Sequence, residues 1–158
     1  MITAGVWRER LGPVLAPDDV GLWEGTDFAS VWGDSILQPP SPLYRVAVAV
    51  DDDDRVCGYA AWGPAADTDS SPGDVEVFAF DVDPQKRRLG HGSRLMSALV
   101  DMTTNQGATS LSMWCTLDDE GRRNFLTSSG WAPDSAWREI EISSSTIVRE
   151  VRLVTGLV

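Results

Sequence analysis

The stretch Val82-Asp83-Pro84-Gln85-Lys86-Arg87-Arg88-Leu89-Gly90-His91-Gly92-Ser93 decides how this chain is read. It follows Val75 to Val82, a β-branched and aromatic run that predicts a long strand. It precedes Leu95, Met96, Leu99, Val100 and Met102, whose spacing of three and four predicts an amphipathic helix ending at Gly107. A loop that leads from a strand into a helix exposes backbone N–H groups with no partner inside the helix. Those donors, aided by the helix dipole, make an anion site. Gly90 and Gly92 allow the dihedrals of an amide nest and a close approach of phosphate to the backbone. Lys86, Arg87, Arg88 and Arg94 place four of the thirteen cations within nine residues. A pyrophosphate suits such a loop; the plainer alternative is a glycine turn with solvated arginines. A dinucleotide fingerprint would need Gly or Ala where Leu95 stands, and a Walker loop would need Gly-Lys-Ser/Thr. Neither is present.

Working outward, the 158 residues predict one domain, 1–158, large enough for a single buried core. The net charge of −11 argues against non-specific nucleic-acid binding, which needs a basic footprint. It is compatible with a cationic substrate, although solubility alone accounts for it. No run of 18 apolar residues predicts a membrane span, and Met1 to Arg10 does not resemble a signal peptide. A cytoplasmic location is the expectation. Cys57 and Cys115 each sit in an apolar run, which favours buried free thiols over a disulfide. Neither has a partner at metal-ligand spacing, and the lone His91 cannot build a zinc site. No metal is expected.

The first third mixes helix and loop signals. Val6 to Leu11 and Asp18 to Glu24 are short helical candidates, and Thr26 or Asp27 can cap a helix through Phe28, Val31, Trp32 and Leu37. Gln38 to Pro42 breaks it. Tyr44 to Val50 and Val56 to Trp62 predict a hairpin around Asp51 to Asp54. That acidic run lacks the spaced ligands of a calcium loop and reads as a solvated tip. Past the long helix, Ser110 to Thr116 predicts a strand. Asp118 or Asp119 opens a helix carrying Phe125 and Leu126 that stops at Gly130. Trp137 to Ile142 and Ile147 to Val154 predict a last hairpin around Ser143-Ser144-Ser145. The order, helices and then β-β-β-α-β-α-β-β, gives a mixed α/β sheet.

At these residues the sequence resembles the GNAT superfamily of acetyl-CoA-dependent N-acetyltransferases. Its signature Gln/Arg-x-x-Gly-x-Gly/Ala matches Arg87-Arg88-Leu89-Gly90-His91-Gly92, and the Val-x-Pro before it matches Val82-Asp83-Pro84. Ser93-Arg94-Leu95-Met96 matches the usual start of the next helix, and Phe125 to Trp131 echoes the later aromatic and Gly-Phe pattern. The resemblance covers roughly residues 40 to 155. It implies a mostly antiparallel sheet flanked by helices with a strand–pyrophosphate loop–helix unit, and substrate-side helices in the first 40 residues. It implies transfer of an acetyl group from acetyl-CoA, as co-substrate, to a primary amine of a small molecule or peptide by direct attack. The alternative is an acyl-CoA-binding sensor or interaction module with weak catalysis.

The resemblance also implies roles. Main-chain groups of Phe80 and Val82 would pair with the pantetheine arm. Arg87, Arg88, Leu89, Gly90, His91, Gly92 and Ser93 would hold the pyrophosphate, with the His91 side chain toward solvent. A strand N–H would stabilise the developing oxyanion. Glu76 would be the base; even spacing places it on the face of Val82, beside Phe78 and Phe80, where desolvation raises its pKa. The plainer reading is a Glu that binds a substrate ammonium or pairs with an Arg. Leu126 stands where many members carry a proton-donating Tyr, and Asp119 where many carry a CoA-contacting Asn. Neither Tyr44 nor Tyr59 replaces the acid by motif. Cys115 beside the cleft reads as a buried filler before an acetyl-enzyme nucleophile. Trp23 and Trp32 read as core, or as lining for the acceptor. The apolar Val151 to Val158 can continue a sheet across a homodimer.

Overall fold

A computed structural model describes Gly5, Val6, Glu9, residues 28–143 and residues 146–158. The predicted segments around Val6 to Leu11 and Asp18 to Glu24, the cap at Thr26 or Asp27, Trp23 and the turn at Ser144-Ser145 lie wholly or largely outside those residues.

Helix α1, Phe28–Leu37, precedes the sheet and ends at the proline cluster. Strands β1, Arg45–Val50, and β2, Val56–Pro64, form the expected hairpin. Its tip is held by Asp51, whose carboxylate accepts from the Asp53 and Arg55 amides, both at 3.1 Å. Strand β3, Asp74–Val82, runs antiparallel to β2. Helix α2, His91–Asn105, follows, and Gly107 at φ +82° supplies the left-handed turn that ends it. Strand β4, Ser110–Thr116, leads to helix α3, Glu120–Ser128, capped by Asp119, which accepts from the Arg122 amide at 3.0 Å.

Strands β5, Ala132–Ser143, and β6, Thr146–Gly156, close the chain. β5 starts five residues before the expected Trp137, because its register with β6 is irregular between Pro133 and Trp137, with Ser135 at φ +74°. A stretch bearing Pro, Asp and Ser carries no strand signal, so the sequence hid it.

The sheet order is β1-β2-β3-β4-β6-β5. All neighbours are antiparallel except β3 and β4, which are parallel. Leu95, Met96 and Leu99 of α2 and Leu126 of α3 pack with Val77, Phe80, Leu111, Met113, Cys115 and Leu153 into one core. That core covers one face of the sheet. Cys57 and Cys115 are buried and not joined in a disulfide, as the sequence suggests. Among the described residues, no helix is long and apolar enough to cross a membrane.

Candidate active site

The site is built on a split in the middle of the sheet. β3 and β4 pair only from Asp74–Ser110 to Glu76–Ser112 and then separate. Beyond that point the β4-facing edge of β3 has no strand partner.

The antiparallel alternation shows which groups line that edge. The Asp83 N–H donates to the Cys57 carbonyl at 2.8 Å, in the same register as Tyr59–Asp81. Bonded pairs alternate with unbonded ones, so the main-chain groups of Val82 and Phe80, opposite Gly58 and Ala60, point away from β2. They face the split. The Val82 carbonyl accepts from Arg87 Nε at 3.4 Å, which agrees with that direction.

At the open end of the split stands the loop quoted above. A 3₁₀ turn, Pro84–Lys86, is capped by the Asp83 carboxylate, which accepts from the Gln85 amide at 2.9 Å. Arg88 then adopts φ +63° and Gly90 φ +84°. Gly90 is the N-cap of α2 and offers no side-chain cap. The first amides of α2, at His91, Gly92 and Ser93, therefore have neither an intrahelical acceptor nor a side-chain cap. Gly92 needs no left-handed backbone; a Cβ there would only touch Phe125 and Val82 at 3.6 to 3.8 Å. The conformational demand falls on Gly90.

The cations are arranged differently from the sequence expectation. Arg87 makes a two-pronged bond to Glu9, at 2.7 and 2.8 Å. Lys86 pairs with Asp51 at 3.1 Å, which also makes the acidic hairpin tip less solvated than expected. Arg94 lies 2.7 Å from His91 Nδ1. Among the described residues, Arg88 alone of the four has no such partner. The expected solvent-facing His91 is incorrect: its side chain is buried, 6% exposed. A guanidinium only donates, so His91 Nδ1 accepts.

Glu76 lies at the closed end of the split, but not on the expected face. β2–β3 register jumps so that Ala61 faces Ala79 and Trp62 faces Val77, leaving Phe78 as an extra residue. A bulge breaks the even-odd rule. Val75, Val77, Phe80 and Val82 all pack toward α2 and α3. Glu76 and Asp81 therefore lie on the opposite face. Phe78 is 49% exposed and stacks on Tyr44, with centroids 5.9 Å apart. Tyr44 also covers Gly63, the residue paired with Glu76, so closely that a Cβ at Gly63 would lie 2.5 Å from the ring.

The expected direction of the Glu76 pKa is present with a fuller cause. Burial pushes it up and Asp67 adds to this, Arg138 opposes, Glu150 raises it again, and Arg152 lowers it. The Glu76 carboxylate makes no hydrogen bond or ion pair among the described residues. Around it the charges are locked together. Arg152 bonds Asp67 at 2.9 Å, Asp69 at 2.5 Å and Asp134 at 2.7 Å, and its hydrogen bond draws Asp69 down to about 2. Arg138 bonds Glu150 at 2.7 Å and lies over the Trp114 ring at 4.2 Å. The Trp114 indole N–H donates to Asp67 at 3.2 Å.

Leu126 is fully buried, so the position carries no proton donor and no opening. Cys115 is equally buried, consistent with a filler. Trp32 packs edge-on against Tyr59 at 4.9 Å. The sequence reading missed Tyr59, Asp81 and Arg122, which form one buried network: the Tyr59 hydroxyl donates to Asp81 at 2.9 Å, and Arg122 pairs with Asp81 and, at 3.3 Å, with Asp119. The buried Asp81 was the available signal, since a carboxylate inside an apolar strand needs partners.

Comparison with known proteins gives a consistent assignment. The model of the acetyltransferase (GNAT) family matches residues 10–131. No curated protein matches the sequence. The fold is similar to the ribosomal-protein-S18-alanine N-acetyltransferase of Escherichia coli, with TM-score 0.63 and 13% identity over 81% of this chain and 76% of that one. It is similar to the PaiA N-acetyltransferase of Thermoplasma acidophilum, solved with coenzyme A, with TM-score 0.69 and 10% identity over 94% and 87%. Nourseothricin acetyltransferase gives TM-score 0.63 and 18% identity over 76% and 69%. With more than half of its length matched by the family model, and a fold similar to these structures, the chain belongs to the acetyltransferase (GNAT) family.

Proposed function

We propose that the chain moves an acetyl group from acetyl-CoA to a primary amine by direct attack, without a metal. The observation that carries this reading is the continuity of the open β3 edge with the uncapped start of α2. An extended arm with amide groups matches the first, and a pyrophosphate matches the second. The amides of Arg88, Leu89, Gly90, His91, Gly92 and Ser93 are assigned to the phosphates. Phe80 and Val82 are assigned to the arm through their main chain. Arg88 supplies charge; Arg87 contributes by fixing the Val82 carbonyl and the chain near Glu9.

Glu76 is assigned as the base. An amine must lose a proton to attack, and an unpaired carboxylate with a raised pKa accepts one near neutrality better than an ordinary Glu. It stands on the face away from α2 and α3, so the acceptor amine approaches from that side. Asp67, Asp69 and Asp134 are spent on Arg152, which leaves Glu76 as the free carboxylate of the cluster. The buried Leu126 favours a second reading, a domain that binds acyl-CoA and turns it over weakly.

Calorimetry with acetyl-CoA tests the binding half, and amine-dependent release of free CoA thiol tests the transfer half. Binding together with thiol release supports the enzyme. Binding without release from any amine in a broad panel selects the binding module, and no binding removes both.

A further inference from the structure

The Tyr59–Asp81–Arg122 network has no part in the proposal so far, yet it runs through the split. Asp81 lies on the sheet face opposite Phe80, as the alternation past the bulge requires. Arg122 sits on α3 one turn before Phe125, which stacks on Phe80 at 5.6 Å on the helix side. The Arg122–Asp81 pair therefore joins the two faces between the separated strands β3 and β4.

Two carboxylates fix this guanidinium. Nη2 donates to Asp81, which also accepts from Tyr59, and Nε pairs with Asp119 at 3.3 Å. Burial disfavours its charge, but Asp81 and then Asp119 outweigh that and hold it protonated. Nη1 has no partner among the described residues. Among the described residues the buried side-chain atoms without a partner are Trp62 Nε1 and Arg123 Nε; Nη1 is not one of them, and the Arg122 side chain keeps 11% exposure. A guanidinium carries five donors in a rigid fork. Here the two carboxylates take two of them and orient the rest.

We infer that Arg122 is a donor-binding residue: its Nη1 hydrogens, held in the split by Asp81 and Asp119, bond an amide carbonyl in the arm of the acyl-CoA donor. This rests on the acetyl-CoA reading above. The main-chain edge at Phe80 and Val82 provides one wall for the arm, and Arg122 provides a charged donor from the other. Among the described residues, Asp81, Asp119 and Cys115 are the groups that act on the Arg122 charge.

Calorimetry on the full chain with two probes tests it: acetyl-CoA, and 3′-phosphoadenosine 5′-diphosphate, which lacks the arm. Arg122→Met alone would strand the buried Asp81 carboxylate, so it is combined with Asp81→Asn. Asp81→Asn by itself is the control that keeps the guanidinium. The double variant should bind acetyl-CoA about tenfold more weakly, the size of one lost charged hydrogen bond. It should bind the diphosphate as wild type does, which also reports an intact loop. Asp81→Asn alone should retain most of the acetyl-CoA affinity. Equal or tighter acetyl-CoA binding by the double variant overturns the inference, because Arg122 would then be an obstacle or a bystander. An equal loss for both probes overturns it too, since the arm would contribute nothing to the difference. A wild-type chain that binds the diphosphate but gains nothing from the arm refutes the inference alone, whereas one that binds neither probe removes the donor reading beneath it.

Discussion

Between Asp74 and Glu76, β3 is bonded to strands on both sides; at Phe80 and Val82 it is bonded on neither, with its main chain turned to the split. In the proposed function the first half carries the base, and the second offers backbone to the donor. The Phe78 bulge separates them. It turns Glu76 to one face while Phe80 and Val82 stay packed toward α2 and α3 on the other. On that proposal one strand serves a donor from its edge and an acceptor from its face. The difference teaches that the proposed donor binding would depend on backbone conformation and helix geometry, whereas the proposed proton transfer would depend on one carboxylate and the charges around it.

The largest effect should come from breaking the backbone half. Gly90→Glu places a carboxylate at the start of α2 and forces a side chain onto φ +84°. Acetyl-CoA affinity should fall on the order of a hundredfold or more, since charge at a helix N-terminus and the nest geometry are both lost. Gly90→Ala separates the two causes. A Cβ there meets nothing within 4 Å, so only the left-handed backbone is strained, by roughly 1–2 kcal/mol. Thermal unfolding should register that cost, with binding reduced far less than in Gly90→Glu.

Next in size is the side-chain half. Glu76→Gln should lower the amine-dependent rate about a hundredfold or more, within the range for a lost general base, with the acetyl-CoA dissociation constant unchanged. A weaker acetyl-CoA complex in that variant would merge the two halves and break the comparison. The pH profile sharpens it. Glu76 is raised above 4.5, so the base should become protonated, and the rate fall, at a pH above that value on the acidic side. Glu76→Gln should lose that limb.

Leu126 probes the core between the halves. It is fully buried, and Leu126→Ala should cost about 2–5 kcal/mol in denaturant unfolding. Leu126→Tyr should also destabilise, by about 1–3 kcal/mol, because the site has no room for the ring. It should not raise the acetylation rate. A faster, stable Leu126→Tyr would show that the missing proton donor limits the reaction.

The smallest effect is a stability signature of Glu76 itself. A carboxyl whose native pKa is raised prefers its protonated form in the folded state. It therefore weakens the fold once pH rises past the unfolded value, and does so fully above the native one. Glu76→Gln should raise the melting temperature slightly at pH 7 and leave it unchanged near pH 4.

The legible parts of this molecule are those where periodicity and punctuation agree. The helix from His91 to Asn105, the cap at Asp119 and the strand from Ser110 to Thr116 follow from spacing, a capping carboxylate and stops at Gly107 and Gly130. The loop proposed for the pyrophosphate was legible because its glycines lie between a strand and a helix. The face of Glu76 was not. Val75-Glu76-Val77-Phe78-Ala79-Phe80 gives no sign that Phe78 is the extra residue, since an apolar bulge looks like an apolar strand. Nor could sequence show that Arg87 meets Glu9 or that Arg122 crosses to Asp81, 78 and 41 residues away. Long-range charge pairing depends on the finished fold. His91 was misread for the same reason: its neighbours are set by packing against the sheet.

The open edge of β3 can be tested amide by amide. Hydrogen exchange should be followed by NMR with and without saturating acetyl-CoA. The account predicts that exchange slows at Phe80, Val82, His91, Gly92 and Ser93, while Tyr59 and Asp81, already paired across β2 and β3, change little. Binding of acetyl-CoA that leaves the Phe80 and Val82 amides exchanging as before would contradict it.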